Sequence, residues 1–279
     1  MGKKIKSKFA FSDLSLILKL TEPSIGRRRG NNMLNQLEIS QWIALMVVAF
    51  VIGISKTGLT GIITLVIPIL AEIFGGMAST GILLPMLIVG DILGLFYYRQ
   101  SAEKKDILNL LPWAYMGVGL GLVLGNQIND YEFKILIAIS VLIGLAILVY
   151  FEVKKGKVHL PSGWWFYALT GILCGFTSMI GNAAGPIFSV YLLAKGVDKA
   201  KYLGITAWFF FIVNVSKVPL QIFFWKNITN ETLLIALYMT PLIIIGGILG
   251  AIIVKKMNEN LFRKLMIALT FVASLKLFF

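Results

Sequence analysis

From Leu233 to Val254 the chain runs through twenty-two residues without a charge, and comparable stretches fill Ile135 to Phe151 and Thr206 to Ser216. A hydrocarbon core about 30 Å thick needs roughly 20 residues of helix per crossing, so such runs with their flanks are membrane spans. Hydrophobic residues make up 58% of the chain and charged residues 14%, against about 45–50% and 25% in ordinary soluble domains. A buried core alone does not account for that excess. The runs are apolar on every face, whereas strands of a membrane barrel alternate apolar and polar at every second residue. The expected fold class is therefore all-α, a polytopic membrane protein.

Breaks in the apolar pattern give ten segments, near 40–55, 60–75, 79–98, 107–127, 132–151, 163–180, 184–195, 201–225, 231–254 and 260–279. They divide into two groups of five that resemble each other. Trp42 and Trp164 each stand eleven residues ahead of a glycine-rich stretch, Gly53-Ile-Ser-Lys-Thr-Gly-Leu-Thr-Gly61 and Gly175-Phe-Thr-Ser-Met-Ile-Gly-Asn-Ala-Ala-Gly-Pro186. Gly81-Ile82 then answers Gly204-Ile205, with Asp91 and Asn214 at the same spacing behind them; Gly117, Gly121 and Gly125 answer Gly246 and Gly250, and Phe133-Lys134 answers Phe262-Arg263. An odd number of segments per copy turns the second copy upside down. The expectation is about 8–10 transmembrane or re-entrant helices in two inverted repeats, 39–152 and 163–279, joined by a basic cytoplasmic linker at 153–162.

Charge supports this arrangement. The net charge is +13, which in a soluble chain would suggest nucleic acid, but here the basic residues are dispersed among short loops and no nucleic-acid partner is expected. Arg99, Lys104, Lys105, Lys154, Lys155, Lys157, Lys195, Lys199, Lys201, Lys255, Lys256, Arg263 and Lys264 fall in loops that share one face, while the opposite loops, near 76–78, 126–131 and 226–230, hold only Lys226. The basic face is the cytoplasmic one. Residues 1–38 stand apart as a basic N-terminal extension with Lys3, Lys4, Lys6, Lys8, Lys19 and Arg27–Arg29 around a weak apolar patch. They read either as a surface segment or as a mis-assigned start with Met33 as the true one, and the second fits the topology better.

Chemistry is expected where polar residues interrupt the hydrocarbon. Irregular backbone at membrane depth is tolerated only inside protein or beside a water-filled cavity, and paired breaks in two halves point to a transporter's binding site. Half-helix N–H groups favour an anion. The expected substrate-binding residues are Ser55, Lys56, Thr57, Gly58 and Gly61 in the first repeat and Ser178, Gly181, Asn182, Gly185, Asn214 and Lys217 in the second. Asp91 is the expected coupling or ion-pair residue. Lys56, Asp91 and Lys217, with Glu72 nearer an end, are the ionisable residues inside apolar runs and need interior partners. Two lysines against one carboxylate suit an anion. The alternative is a buried Lys–Asp pair that only fixes helix packing, with the glycines as packing stripes.

Other chemistries lack their residues. The single cysteine, Cys174, allows no intrachain disulfide, and the single histidine, His159, lies in a polar loop, so no metal site or other cofactor is implied. A Ser–His protease lacks a membrane histidine, and an intramembrane aspartyl protease would need a second buried aspartate beside Asp91. There is no phosphate-binding loop for ATP. The chain is therefore not expected to be an enzyme.

The paired breaks, Pro68 after the first, the Gly81-to-Arg99 helix ending Tyr-Tyr-Arg, and the Asn214-x-x-Lys217 helix resemble the sulfite exporter TauE/SafE family over about residues 38–279. That resemblance implies a multi-pass secondary transporter in the plasma membrane. It would move a small anion, such as sulfite or a sulfonate, by alternating access, with H+ or Na+ as coupling ion and a homo-oligomer permitted. A passive anion channel is the alternative reading, and a structural membrane subunit a further one. Reporter fusions at residue 5, in the loop at residue 155 and at the C-terminus test the topology: residue 155 is expected inside and the C-terminus outside, and a cytoplasmic C-terminus overturns the inverted arrangement.

Overall fold

The computed structural model describes residue 34, residues 37–133, 135, 136, 139, 164–258, 260–262, 264, 265 and 268. The basic residues 1–33, most of the fifth segment, the linker with His159, and much of the tenth segment lie outside the described residues. The described residues form helices and their connections, with no strand among them.

Each helix boundary has a local cause. Helix α1 (Ile39–Thr57) opens on a capping box between Glu38 and Gln41, which satisfies orphan N–H groups of the first turn. A tight 3₁₀ turn (Thr60–Leu65) leads to α2 (Ile67–Phe74), whose first turn carries Pro68. Gly75, at φ +92°, takes a conformation costly for other residues and turns the chain into α3 (Gly76–Tyr98). Then follow α4 (Lys104–Leu108) and α5 (Leu111–Gly125). In the second half α6 (Trp164–Gly181) is followed by α7 (Gly185–Lys195), which begins with Pro186. Asp198 caps α8 (Lys199–Leu220), which ends in a π-turn at Gln221–Trp225, and Thr229 caps α9 (Asn230–Lys256).

Six of these stretches are long and apolar enough to cross a bilayer: Ile39–Thr57, Gly76–Ser101, Lys104–Gly125, Trp164–Gly181, Lys199–Trp225 and Asn230–Lys256. The protein is a polytopic, all-helical membrane protein. Helices α2 and α7, of 8 and 11 residues, rise only about 12 and 16 Å and do not cross alone. Large apolar side chains stand exposed on α1, α5 and α9, such as Val47, Leu120 and Leu237, where lipid would cover them. Helix α3 is interior, with Ile82, Leu83, Leu84 and Met86 fully buried.

The two ends of the bundle differ as the loop charges predict. At one end Asp130 accepts from the Met77 N–H, Asn227 donates to the Met77 carbonyl and Thr80, and the Trp225 indole donates to the Leu122 carbonyl. At the other, Lys195 pairs with Asp106, Lys201 pairs with Glu103, and Lys199 donates to the carbonyls of Val254 and Met257. The loops poor in charge thus gather at one end and the described basic loops at the other. The α1–α2 hairpin enters and leaves from the charge-poor end, whereas the α6–α7 hairpin enters and leaves from the basic end.

Glycines bring the hairpins against their neighbours, and here the structure corrects the reading of the two glycine-rich stretches. Helix α1 continues through Gly53, Ser55, Lys56 and Thr57, and α6 continues through Gly175, Thr177 and Ser178; the chain leaves helical geometry only at Gly58–Leu59 and at Asn182–Ala184. The physical reason is contact. A Cβ at Gly53 would stand 2.1 Å from the Ile243 carbonyl oxygen of α9, and one at Gly175 would stand 1.9 Å from the Ala114 carbonyl oxygen of α5. The opposing glycines reciprocate: a Cβ on Gly246 would meet the Phe50 oxygen at 2.2 Å, and one on Gly117 the Ile172 oxygen at 2.1 Å. Backbones this close are the usual means of helix association in lipid.

Gly53→Leu and Gly246→Leu are accordingly expected to abolish the monodisperse folded peak in fluorescence-detected size-exclusion chromatography. Gly119→Ala, where an added Cβ meets nothing within 4 Å, is expected to keep that peak and to gain about 1 kcal/mol of helix propensity.

Candidate functional site

The breaks meet at the centre of the bundle. Gly185, which opens α7, lies against the 3₁₀ turn of the first half, its would-be Cβ 3.5 Å from the Thr60 carbonyl oxygen. Between them is a cavity with about 20 Å³ of free space, lined on its polar side by Ser55, Lys56, Thr60, Ser178, Asn182, Gly185 and Asn214 and on its apolar side by Ile63, Leu87 and Phe210. That volume suits a water molecule or two.

Lys56 sits in the last turn of α1. Its stem lies on α3 because Gly90 has no side chain there; a Cβ at Gly90 would come 2.8 Å from Lys56 Cγ. The ammonium reaches Asp91 Oδ1 at 2.7 Å and lies 4.8 Å from the centre of the Phe210 ring, a distance at which the ring face attracts a cation. Asn214 Nδ2 donates to the other Asp91 oxygen at 2.6 Å. Asp91 is fully buried, and Lys56 and Asn214 stand between it and the cavity.

Lys217 is also fully buried. Its ammonium donates to the Ser178 carbonyl at 2.9 Å, to Ser178 Oγ at 3.0 Å and to Asn182 Oδ1 at 2.6 Å, which uses all three of its protons. It thereby holds the end of α6, where Asn182 takes a left-handed conformation at φ +55°. Asn tolerates that region better than most residues. Near the first break the Ser55 hydroxyl donates to the Thr60 carbonyl at 3.2 Å. From Thr60 a buried hydroxyl relay runs to the Tyr202 hydroxyl at 3.3 Å and on to Ser189 Oγ at 2.7 Å.

Of the residues singled out from sequence, Ser55, Lys56, Ser178, Asn182, Gly185 and Asn214 come together around the cavity. Asp91 lies one side chain behind it, and so does Lys217. Thr57 and Gly58 are elsewhere: Thr57 Oγ1 donates to the Gly247 carbonyl at 2.6 Å, and a Cβ at Gly58 would be 2.9 Å from the Gly250 oxygen, so both serve the contact of α1 with α9. Gly61 lies inside the 3₁₀ turn, and Gly181, the last residue of α6, is not among the described lining residues. Phe210, Ile63 and Leu87 were missed because an apolar residue inside an apolar run carries no signal. Thr60 was visible in the break, and its place in the wall was not.

A sequence profile of the family described as "Sulfite exporter TauE/SafE" matches residues 45–277. The chain belongs to that family. The matched span takes in both breaks and all the cavity residues of this TauE/SafE protein. Over 114 residues the chain is also 29% identical to the "Lincomycin resistance protein LmrB" of Listeria monocytogenes serovar 1/2a, and equally to that of Listeria innocua serovar 6a. Each of these matches covers 40% of this chain and 22% of the relative, so the chain spans about a fifth of the length of the curated relatives it matches. No solved structure matches it.

Removing one partner of a buried ion pair leaves an uncompensated charge, at a cost of about 3–5 kcal/mol, whereas replacing both is often close to neutral. Lys56→Met alone is therefore expected to lower the unfolding temperature of the purified protein markedly, and adding Asp91→Asn is expected to recover most of the loss. Equal stability of the single and double variants would show that the pair contributes nothing.

Proposed function

We propose that this TauE/SafE protein is a secondary transporter that moves a small sulfur-containing anion, such as sulfite or a sulfonate, across the plasma membrane by alternating access. The observation that carries the reading is the cavity itself: it lies between two opposed hairpins, each a long helix followed by a short one, and is walled by donors and by Lys56, with Lys217 directly behind. Family membership supports a membrane permease. The opposed α1–α2 and α6–α7 hairpins, with their reciprocal glycine contacts, support two inverted repeats. Such repeats carry substrate sites at their interface near the bilayer midplane.

The geometry favours a carrier over a channel. About 20 Å³ is too little for a sulfonate group, so an anion enters only if the walls of the cavity move apart. The pairs Lys195–Asp106 and Lys201–Glu103 tie α7 and α8 to α4 at the basic end and would part when that end opens. Asp91 is the group suited to couple a proton, since it is a fully buried carboxylate beside the cavity that would take one when Lys56 and Asn214 move away from it.

Counterflow and uptake in proteoliposomes with sulfite, sulfate, thiosulfate and sulfoacetate, at two values of the pH gradient, test the proposal. At least one anion is expected to accumulate against its gradient, and an uncoupler is expected to abolish the accumulation. Downhill flux without accumulation would support the passive channel, and failure of all four to move or bind would reject the anion-carrier assignment.

A further inference from the structure

The charges around the cavity do not cancel. Lys56 and Asp91 neutralise each other at 2.7 Å. Lys217 meets only neutral acceptors, on Ser178 and Asn182. With Lys217 in its ammonium form, the sum among the described residues around the cavity is one positive charge, and it is fully buried.

That charge acts on the cavity through Asn182. Lys217 occupies the Oδ1 end of the amide, which leaves Nδ2 as the free end, buried and without a hydrogen-bond partner. Asn182 is itself 8% exposed and forms part of the cavity wall. A buried amide donor left unpaired costs roughly 1–3 kcal/mol, and native proteins retain such groups where something else satisfies them. Three residues on, Gly185 and Pro186 open α7, adding the positive end of a helix dipole on the same side.

Resting on the anion-carrier reading above, we infer that the site takes a singly charged oxyanion and rejects a doubly charged one of the same shape. The Asn182 amide N–H meets the anion, and Lys217 acts as the positioning residue that turns the amide and supplies the charge. A monoanion brings the buried site to neutrality. A dianion replaces one uncompensated charge by another of opposite sign, where little water remains to solvate it. The same count explains why Lys56 is paired: with Asp91 uncharged, the site would hold two positive charges and would suit a dianion.

Methanesulfonate and sulfate differ by one charge at nearly constant tetrahedral size, and binding of each to the full chain in lipid nanodiscs at neutral pH can be measured by calorimetry. Methanesulfonate is expected to bind on the order of tenfold or more tightly than sulfate. Asp91→Asn raises the count to two and is expected to shift the ratio toward sulfate by a similar factor. Lys217→Gln lowers it to zero and is expected to abolish the preference for methanesulfonate over sulfate, whereas Lys217→Arg, which keeps the charge, is expected to retain it; a merely structural role would weaken both anions alike and leave their ratio unchanged. Equal binding of the two anions to the unmodified protein, or tighter binding of sulfate, overturns the inference and leaves the carrier reading standing; binding of neither overturns both. The comparison on the unmodified protein needs no substitution, so a variant that fails to fold does not shield the inference.

Discussion

The ammonium of Lys217, with its three protons on Ser178 and Asn182, holds the second helix break in place, and much of the central architecture depends on it. In a bilayer a broken helix has no solvent to satisfy its freed groups. Here the compensation comes from a side chain one helix away, on α8. The Ser178 carbonyl accepts both from Lys217 and from the Asn182 N–H, and the Asn182 side chain is fixed in turn. Because the turn is held, α7 can start where it does, with its first residue against Thr60 of the other half.

The charged centre and the glycine contacts are parts of one arrangement. Lys56 reaches Asp91 only because α1 lies close on α3, and that approach needs Gly90 and Gly94, where a Cβ would come within 2.8 Å of Lys56 Cγ and 2.9 Å of its carbonyl oxygen. The position of α1 is set from its other side by Gly53, Gly58, Gly246 and Gly250 against α9. Packing of small residues and placement of charge are usually offered as competing explanations of glycine and lysine inside a span. In this protein the first makes the second possible.

The donors that reach the cavity are mostly neutral. Lys56 shares its charge with Asp91, Lys217 stands behind Asn182, and hydroxyl and amide groups make up much of the polar wall. A site of this kind can bind an anion without trapping it, since binding energy spread over hydrogen bonds and one remote charge is lost gradually as the walls part. A transporter must release what it binds, and a direct, unshared lysine–anion contact in a dry cavity would oppose release.

Much of this was legible in the sequence because hydrocarbon penalises every departure from apolar helix. Uncharged runs marked the spans, loop charges sorted the two ends, and Lys56, Asp91 and Lys217 stood out by their cost at membrane depth. The tertiary structure alone decided how those residues are used. Cost says that a buried charge needs a partner without naming it: the Asn214–Asp91 bond joins positions 123 residues apart, and Lys56 and Lys217, alike in sequence terms, received a carboxylate and neutral acceptors respectively. Gly53 and Gly175 read as breaks yet continue their helices, because a glycine signals permission for either a turn or a close neighbour. Thr57 left the site for the α9 contact, and Phe210 entered it, since which side of a helix faces the cavity depends on how the helices pack together.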